Sequence, residues 1–185
     1  MSKKEHIMDT AEALFNEHGY TAVGVDLIRD TAQVSKTSLY RHFSSKAKLI
    51  EEVLIRRHQR FETSVDKALQ GQITTETQLD SLLDWHFNWF DQPHFKGCMF
   101  MHALAEFKES EENISELSRQ HKIWLKNVVT DALKKNDKLT SSCINKRSES
   151  IMTLIEGMIV RSEFEDTTAY RKNYRELVHH ISSSI

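Results

Sequence analysis

Apolar side chains recur every three to four positions along nearly the whole chain, which is the spacing of one helix face. Ile7, Ala11, Leu14, Phe15 and His18 predict a first helix over roughly residues 3–18, which Gly19 can end in a left-handed conformation. Val25, Ile28 and Ala32 predict a short second helix, with Gly24 as its cap and Asp26 in its first turn. Gln33 and Val34 read as a turn. Ser35 then caps a third helix, in which Leu39 and Phe43 face inward while Lys36, Thr37, Arg41 and His42 remain outside. Two short helices joined by a tight turn form a helix-turn-helix.

The pattern continues as longer helices. Leu49, Ile50, Val53, Leu54, Phe61, Val65, Ala68 and Leu69 predict one amphipathic helix from about residue 46 to Gln70, ended by Gly71. Thr75 to Gln78 has the form of a capping box opening a fifth helix, which must end before Pro93. In that helix Leu82, Leu83, Trp85, Phe87, Trp89 and Phe90 point around most of the circumference, so it is expected to be buried or to line a cavity. Three more helices follow a sixth in the last third: one through Ile114, Trp124 and Leu133, one through Ile144, Ile151, Ile155, Met158 and Ile159, and one through Tyr170, Tyr174, Val178 and Ile181. The expected fold class is all-α with about nine helices.

Composition narrows the picture. One proline and five glycines among 185 residues suit long helices better than a turn-rich β fold. The amino terminus lacks the apolar run of a signal peptide and no window has the length of a membrane span, so a cytoplasmic protein is expected. Cys98 and Cys143 lie far apart, which argues against a disulfide framework or a zinc ribbon. Charge is sorted along the chain: ten basic and eight acidic residues up to residue 60, fifteen and nineteen after it. Residues 36–60 hold seven Lys or Arg against Glu51 and Glu52 alone. The segment VSKTSLYRHFSSKAK, residues 34–48, has four basic side chains and no acid. On a helix-turn-helix that arrangement fits double-stranded DNA: the major groove admits a helix, small polar groups approach base edges, and flanking cations hold phosphates.

Gly19-Tyr20, Val25-x-x-Ile28 and then Val34, Ser35, Leu39, Tyr40, His42, Phe43, Lys46 and Leu49 resemble the amino-terminal signature of the tetracycline-repressor (TetR/AcrR) family. The resemblance covers roughly the first 50 residues. It implies a DNA-binding domain over 1–48 and an effector-binding and dimerisation domain over 49–185. It further implies that Tyr40, His42 and Lys46 contact phosphates, and that Lys36, Thr37, Ser38 and Arg41, following Ser35, lie where bases are read. Arg29, Gln33 and Thr37 depart from the family pattern, where a small residue, a turn glycine and a small residue are common. The last two helices are similar in position to the pair that joins two subunits in that family, which makes Ile151, Ile155, Met158, Tyr174 and Val178 candidates for a homodimer interface.

For a small-molecule effector the aromatic middle of the chain supplies candidates in Phe61, Trp85, Trp89, Phe100, Met101 and Trp124. His94, Cys98, His102 and Glu106 recur every four residues, so a thiol- or metal-responsive regulator acting through Cys98 is the alternative. No metal or cofactor is otherwise expected, and no membrane partner. The chain has no Gly-rich phosphate loop, no His-Glu-x-x-His and no Gly-x-Ser-x-Gly, so no enzyme is expected. The sum of these readings is a ligand-released repressor binding a palindromic operator as a dimer.

Overall fold

Ser2 starts the first helix by accepting the amide of Glu5, while the Glu5 carboxylate accepts the amide of Ser2. The computed structural model describes residues 2–183, and among these it has nine α-helices and no strand. They are α1 (Lys3–His18), α2 (Val25–Thr31), α3 (Lys36–His42), α4 (Lys46–Leu69), α5 (Thr75–Phe90), α6 (Met99–Phe107), α7 (Glu112–Leu133), α8 (Ser141–Ser162) and α9 (Arg171–Ser183), with a 3-10 turn at Thr168–Tyr170 before α9. No helix among the described residues is long and apolar enough to cross a membrane.

Local chemistry sets the boundaries. The α2 helix ends in a Schellman motif: the Gln33 amide donates to the Asp30 carbonyl at 3.2 Å and the Val34 amide to the Arg29 carbonyl at 3.1 Å. That motif requires a left-handed residue after the cap, and Gln33 supplies it with φ 53°, the conformation for which glycine is the usual choice. Ser35 caps α3 as expected, its hydroxyl accepting the Ser38 amide at 3.1 Å. The cap of α5 is shifted by one residue from expectation: the hydroxyl of Thr74, not Thr75, accepts the amide of Thr77, and the Thr74 amide donates in return to the Thr77 hydroxyl. Thr75 instead donates its hydroxyl to the Ala132 carbonyl, and Gln78 donates to the Gln72 carbonyl.

Packing divides the chain into two compact units. One comprises the residues up to Arg60 together with Cys98–His121; the other comprises Phe61–Gly97 and the residues from Lys122 onward. The division therefore falls within α4 and α7, whereas the domain boundary that the resemblance implies at residue 48 lies at the start of α4. In the first unit Ile7, Phe15, Tyr20, Ile28, Leu39, Phe43, Leu49 and Leu54 form the core. In the second, Leu79, Leu82, Leu83, Val129, Leu133, Ile151, Ile155, Met158 and Val178 do so. There α5 is joined to α9 by charge as well: Arg175 reaches Asp80 at 2.6 Å and Asp84 at 2.5 Å, and Arg171 grips both oxygens of Asp91.

Candidate nucleic-acid interface

Because α3 has only seven residues, its inward contacts are few. Leu39 and, at its C-cap, Phe43 are buried, which leaves Lys36, Thr37, Tyr40 and Arg41 exposed; Tyr40 is 42 % accessible. An aromatic ring that large and that open is not a core residue, and its hydroxyl is free to meet a phosphate oxygen. Ser35 is exposed but its hydroxyl is engaged in capping. Ser38, expected among the base-reading positions, is buried on the inner side of α3, unlike Lys36, Thr37 and Arg41. His42 is half-buried with its ring 6.3 Å from that of Phe43.

Lys46 opens α4 and is also half-buried. Its ammonium lies 3.5 Å from the Thr21 carbonyl, and burial lowers its pKa while the nearby Glu106 carboxylate works in the opposite sense. Glu106 itself comes from α6 and accepts the amides of Tyr20 at 3.0 Å and Thr21 at 2.6 Å. Burial raises the Glu106 carboxyl, but these hydrogen bonds, followed by Lys46, outweigh it and leave the group below its ordinary value. The turn between α1 and α2 is shaped for this contact: Gly19 has φ 78°, and a Cβ there would come within 3.1 Å of the Glu106 carboxylate. Tyr20, fully buried between the rings of Phe15 and Phe107, donates its hydroxyl to the Met99 carbonyl at 2.9 Å.

A second carboxylate anchors α1 to α4. Glu12 is buried and accepts from Arg56 at 3.0 Å, from Arg57 at 2.8 Å and from Arg60. Burial alone would raise its pKa, yet Arg57 and Arg60 prevail and hold it ionised below the ordinary carboxylate range. Arg56, Arg57 and Arg60, which belong to the basic run, are thus committed to a carboxylate inside the protein. Glu12 is not singled out by the sequence, and Glu106 only as the last of the series His94, Cys98, His102 and Glu106; the anchoring role of both escapes the sequence because their partners lie far away along the chain.

The other expected sites fare differently. Phe61, Trp85 and Trp89 come together with ring centroids 5.1 to 5.8 Å apart, and the Trp85 indole donates to Ser64 at 3.0 Å. Trp124 is half-buried on α7 in the same unit. Phe100 belongs to the other unit, where it is buried and stacked on His121 with centroids 3.7 Å apart; Met101, also there, is 40 % accessible. The six therefore do not form one cluster within either unit. Of the series His94, Cys98, His102 and Glu106, the last is occupied by backbone amides, and Cys98 is buried at the N-cap of α6. Among the described residues, the side chains whose ligand atoms do converge are Glu76, Asp80 and His179, and there Asp80 is already bonded to Arg175 and His179.

The five residues expected at a dimer interface are inside the single chain: Ile151, Ile155, Met158 and Val178 are 1 % accessible and Tyr174 is buried too. Ile151, Ile155 and Met158 on α8 and Tyr174 and Val178 on α9 pack within their own chain, and Met158 and Tyr174 also reach the edge of an open row beside them. The adjoining row is open. Leu154, Gly157, Met158, Arg161, Tyr174 and Leu177 border a shallow apolar groove of about 360 Å³ along α8 and α9.

Comparison with known proteins agrees with this geometry. Residues 7–53 match the family model described as bacterial regulatory proteins, tetR family. Over 89 residues the chain is 33 % identical to the HTH-type transcriptional activator FasR of Mycolicibacterium smegmatis, a match covering 48 % of this chain and 41 % of that one. Over 49 residues it is 41 % identical to IcaR, the HTH-type negative transcriptional regulator of the biofilm operon icaADBC of Staphylococcus aureus, covering 26 % of each. The matches thus span less than half the length of these curated relatives. The fold extends further. SCO4454, a TetR-family transcriptional regulator from Streptomyces coelicolor, superposes with a TM-score of 0.88 at 23 % identity over 97 % of this chain and 94 % of that one. The reduced form of Escherichia coli NemR does so with 0.81 at 21 % identity over 97 % of each.

Proposed function

We propose, because residues 7–53 match the model of the tetR family of bacterial regulatory proteins, that this chain belongs to that family of regulators and is a sequence-specific DNA-binding transcriptional regulator. On this reading it works in the cytoplasm as a homodimer on a palindromic operator, represses, and leaves the DNA when a small molecule binds. The observation that carries the proposal is the exposed face of α3, where Lys36, Thr37, Tyr40 and Arg41 stand clear of the core that Leu39 and Phe43 enter. A single such helix reads few base pairs, so two copies on a two-fold symmetric site supply the rest of the recognition. The apolar groove along α8 and α9 supports pairing, and the cluster of Phe61, Trp85 and Trp89 supports an apolar effector.

Selection from a random-sequence duplex pool tests the proposal. The protein should enrich a palindrome, and log affinity should fall against log salt with a slope of about −0.9 for each phosphate neutralised. Arg41→Ala should weaken binding and blur the enriched sequence, by about 1 to 3 kcal/mol if a bidentate base contact is lost. Binding that neither selects a sequence nor responds to salt would refute it.

A further inference from the structure

The helix-turn-helix carries an acid beside one of its base-reading residues. Asp26, exposed on the first turn of α2, has its Oδ1 2.7 Å from Arg29 Nη1 and 3.9 Å from Lys36 Nζ. Asp30 takes another edge of the same guanidinium, with Nε and Nη2 each donating at 2.8 Å. Arg29 is therefore held between two carboxylates. Lys36, the first residue of α3, has an anion within reach before any DNA arrives. We infer that Asp26 is a specificity-determining residue of the DNA-reading surface, a tethered carboxylate with which any incoming phosphate must compete for Lys36 and Arg29. The inference rests on the assignment of α3 as the DNA-contacting helix.

Exposed ion pairs contribute little to folding, so stability is a weak reason for this arrangement. Its effect on a polyanion is larger. Non-specific binding comes almost wholly from phosphate neutralisation, and a carboxylate at the contact face weakens it on every sequence alike. At the right sequence Lys36 meets a neutral base edge, which does not repel the Asp26 carboxylate as a phosphate does, so the loss is smaller there than at other sites. Asp26 thus subtracts more from wrong sites than from the right one, which is how specificity is gained by penalising competitors. The plainer role is purely local: an acid in the first turn suits the helix dipole, and Gly24 brings no side-chain cap to α2. That role would leave DNA discrimination unchanged.

The experiment uses the full-length protein, the duplex enriched by the wild type, and a scrambled duplex of the same composition. Asp26→Asn should keep its helical spectrum while its affinity for the scrambled duplex rises at least about threefold at 0.1 M salt. Affinity for the enriched duplex should change less, so that the ratio of the two falls. The salt slope should steepen by about 0.9 for each cation freed to meet a phosphate. Asp26→Ser, which removes the charge but keeps a residue suited to a helix start, should do the same, and Asp26→Glu should restore the wild-type ratio. Asp30→Asn, which frees one edge of Arg29, should shift the ratio less. Equal changes on both duplexes, or none, in Asp26→Asn and Asp26→Ser would overturn the inference while the proposed function stands. A wild type that enriches no sequence would overturn both.

Discussion

In α3 two residues point into the core and the outer face is polar; in α8 seven residues are buried and the outer face still bears Leu154 and Val160. The short helix is read easily apart from Ser38, because once Leu39 is assigned inward most of its remaining surface has to meet solvent or a ligand. The long one is not. Apolar side chains occupy more than one of its rows, and spacing alone does not say which row faces the chain's own core and which a partner. A polar helix shows its function by what packing leaves over, whereas an apolar one conceals it behind what packing consumes.

Substitutions that separate the two rows of α8 from each other, and the anchors of the first unit from its exposed face, would sharpen this contrast. The largest change in folding stability is expected from Ile155→Glu, which puts an unpaired charge in the core at a cost of about 4 kcal/mol or more. Circular dichroism should report loss of the cooperative helical transition; a folded, helical monomer would instead move Ile155 to an interface. Glu12→Gln comes next, at about 3 kcal/mol, because three guanidinium groups lose their common anion. Its effect depends on pH with a definite sign. The folded chain holds Glu12 ionised below the ordinary value of 4.5, so the unfolded chain binds the extra proton first. That stabilisation is complete above 4.5 and declines as pH falls through the folded value, so wild type and variant should converge in acid unfolding curves.

Gln33→Gly is expected to stabilise by about 1 kcal/mol, since glycine adopts the left-handed conformation of the α2 to α3 turn without a Cβ penalty. A lower melting temperature would mean that the Gln33 side chain contributes more than its backbone strain costs. The smallest change in folding stability, within about 0.5 kcal/mol, is expected from Leu177→Arg on the exposed row of α9. Sedimentation should nevertheless show its self-association weakened at least tenfold, or about 1.4 kcal/mol. A variant that associates as the wild type does would put the subunit contact away from the α8–α9 groove.

What could be read from the sequence was local. The cap at Ser35, the inward pair Leu39 and Phe43 and the stop at Gly71 each follow from residues a few positions apart. The inward turn of Ser38 did not, because on a helix this short the buried arc is decided by the packing of α2 against α3. The sequence points to Thr75 as the cap of α5, but its hydroxyl is taken up by the Ala132 carbonyl, a contact 57 positions away that spacing does not reveal, and Thr74 caps instead. The anchoring roles of Glu12 and Glu106 were illegible for a different reason: their partners lie 44 to 48 and 85 to 86 positions away. Long-range carboxylate anchors leave no periodic signal.

The Glu106 contact also orders events during synthesis. The amides of Tyr20 and Thr21 and the hydroxyl of Tyr20 leave the ribosome long before Met99 and Glu106, the residues that satisfy them. Domains fold as units as the chain emerges, and contacts of high sequence separation form late. A chain that ends before α6 lacks Met99, Phe107 and Glu106, the residues that cover Tyr20 and take up its hydroxyl and amide. A nascent chain arrested before residue 98 would carry the whole helix-turn-helix motif yet lack the segment that closes its unit. If α3 reads DNA as proposed, that competence comes only after the motif that encodes it has been translated, and a chain truncated in between should be a target for proteolysis.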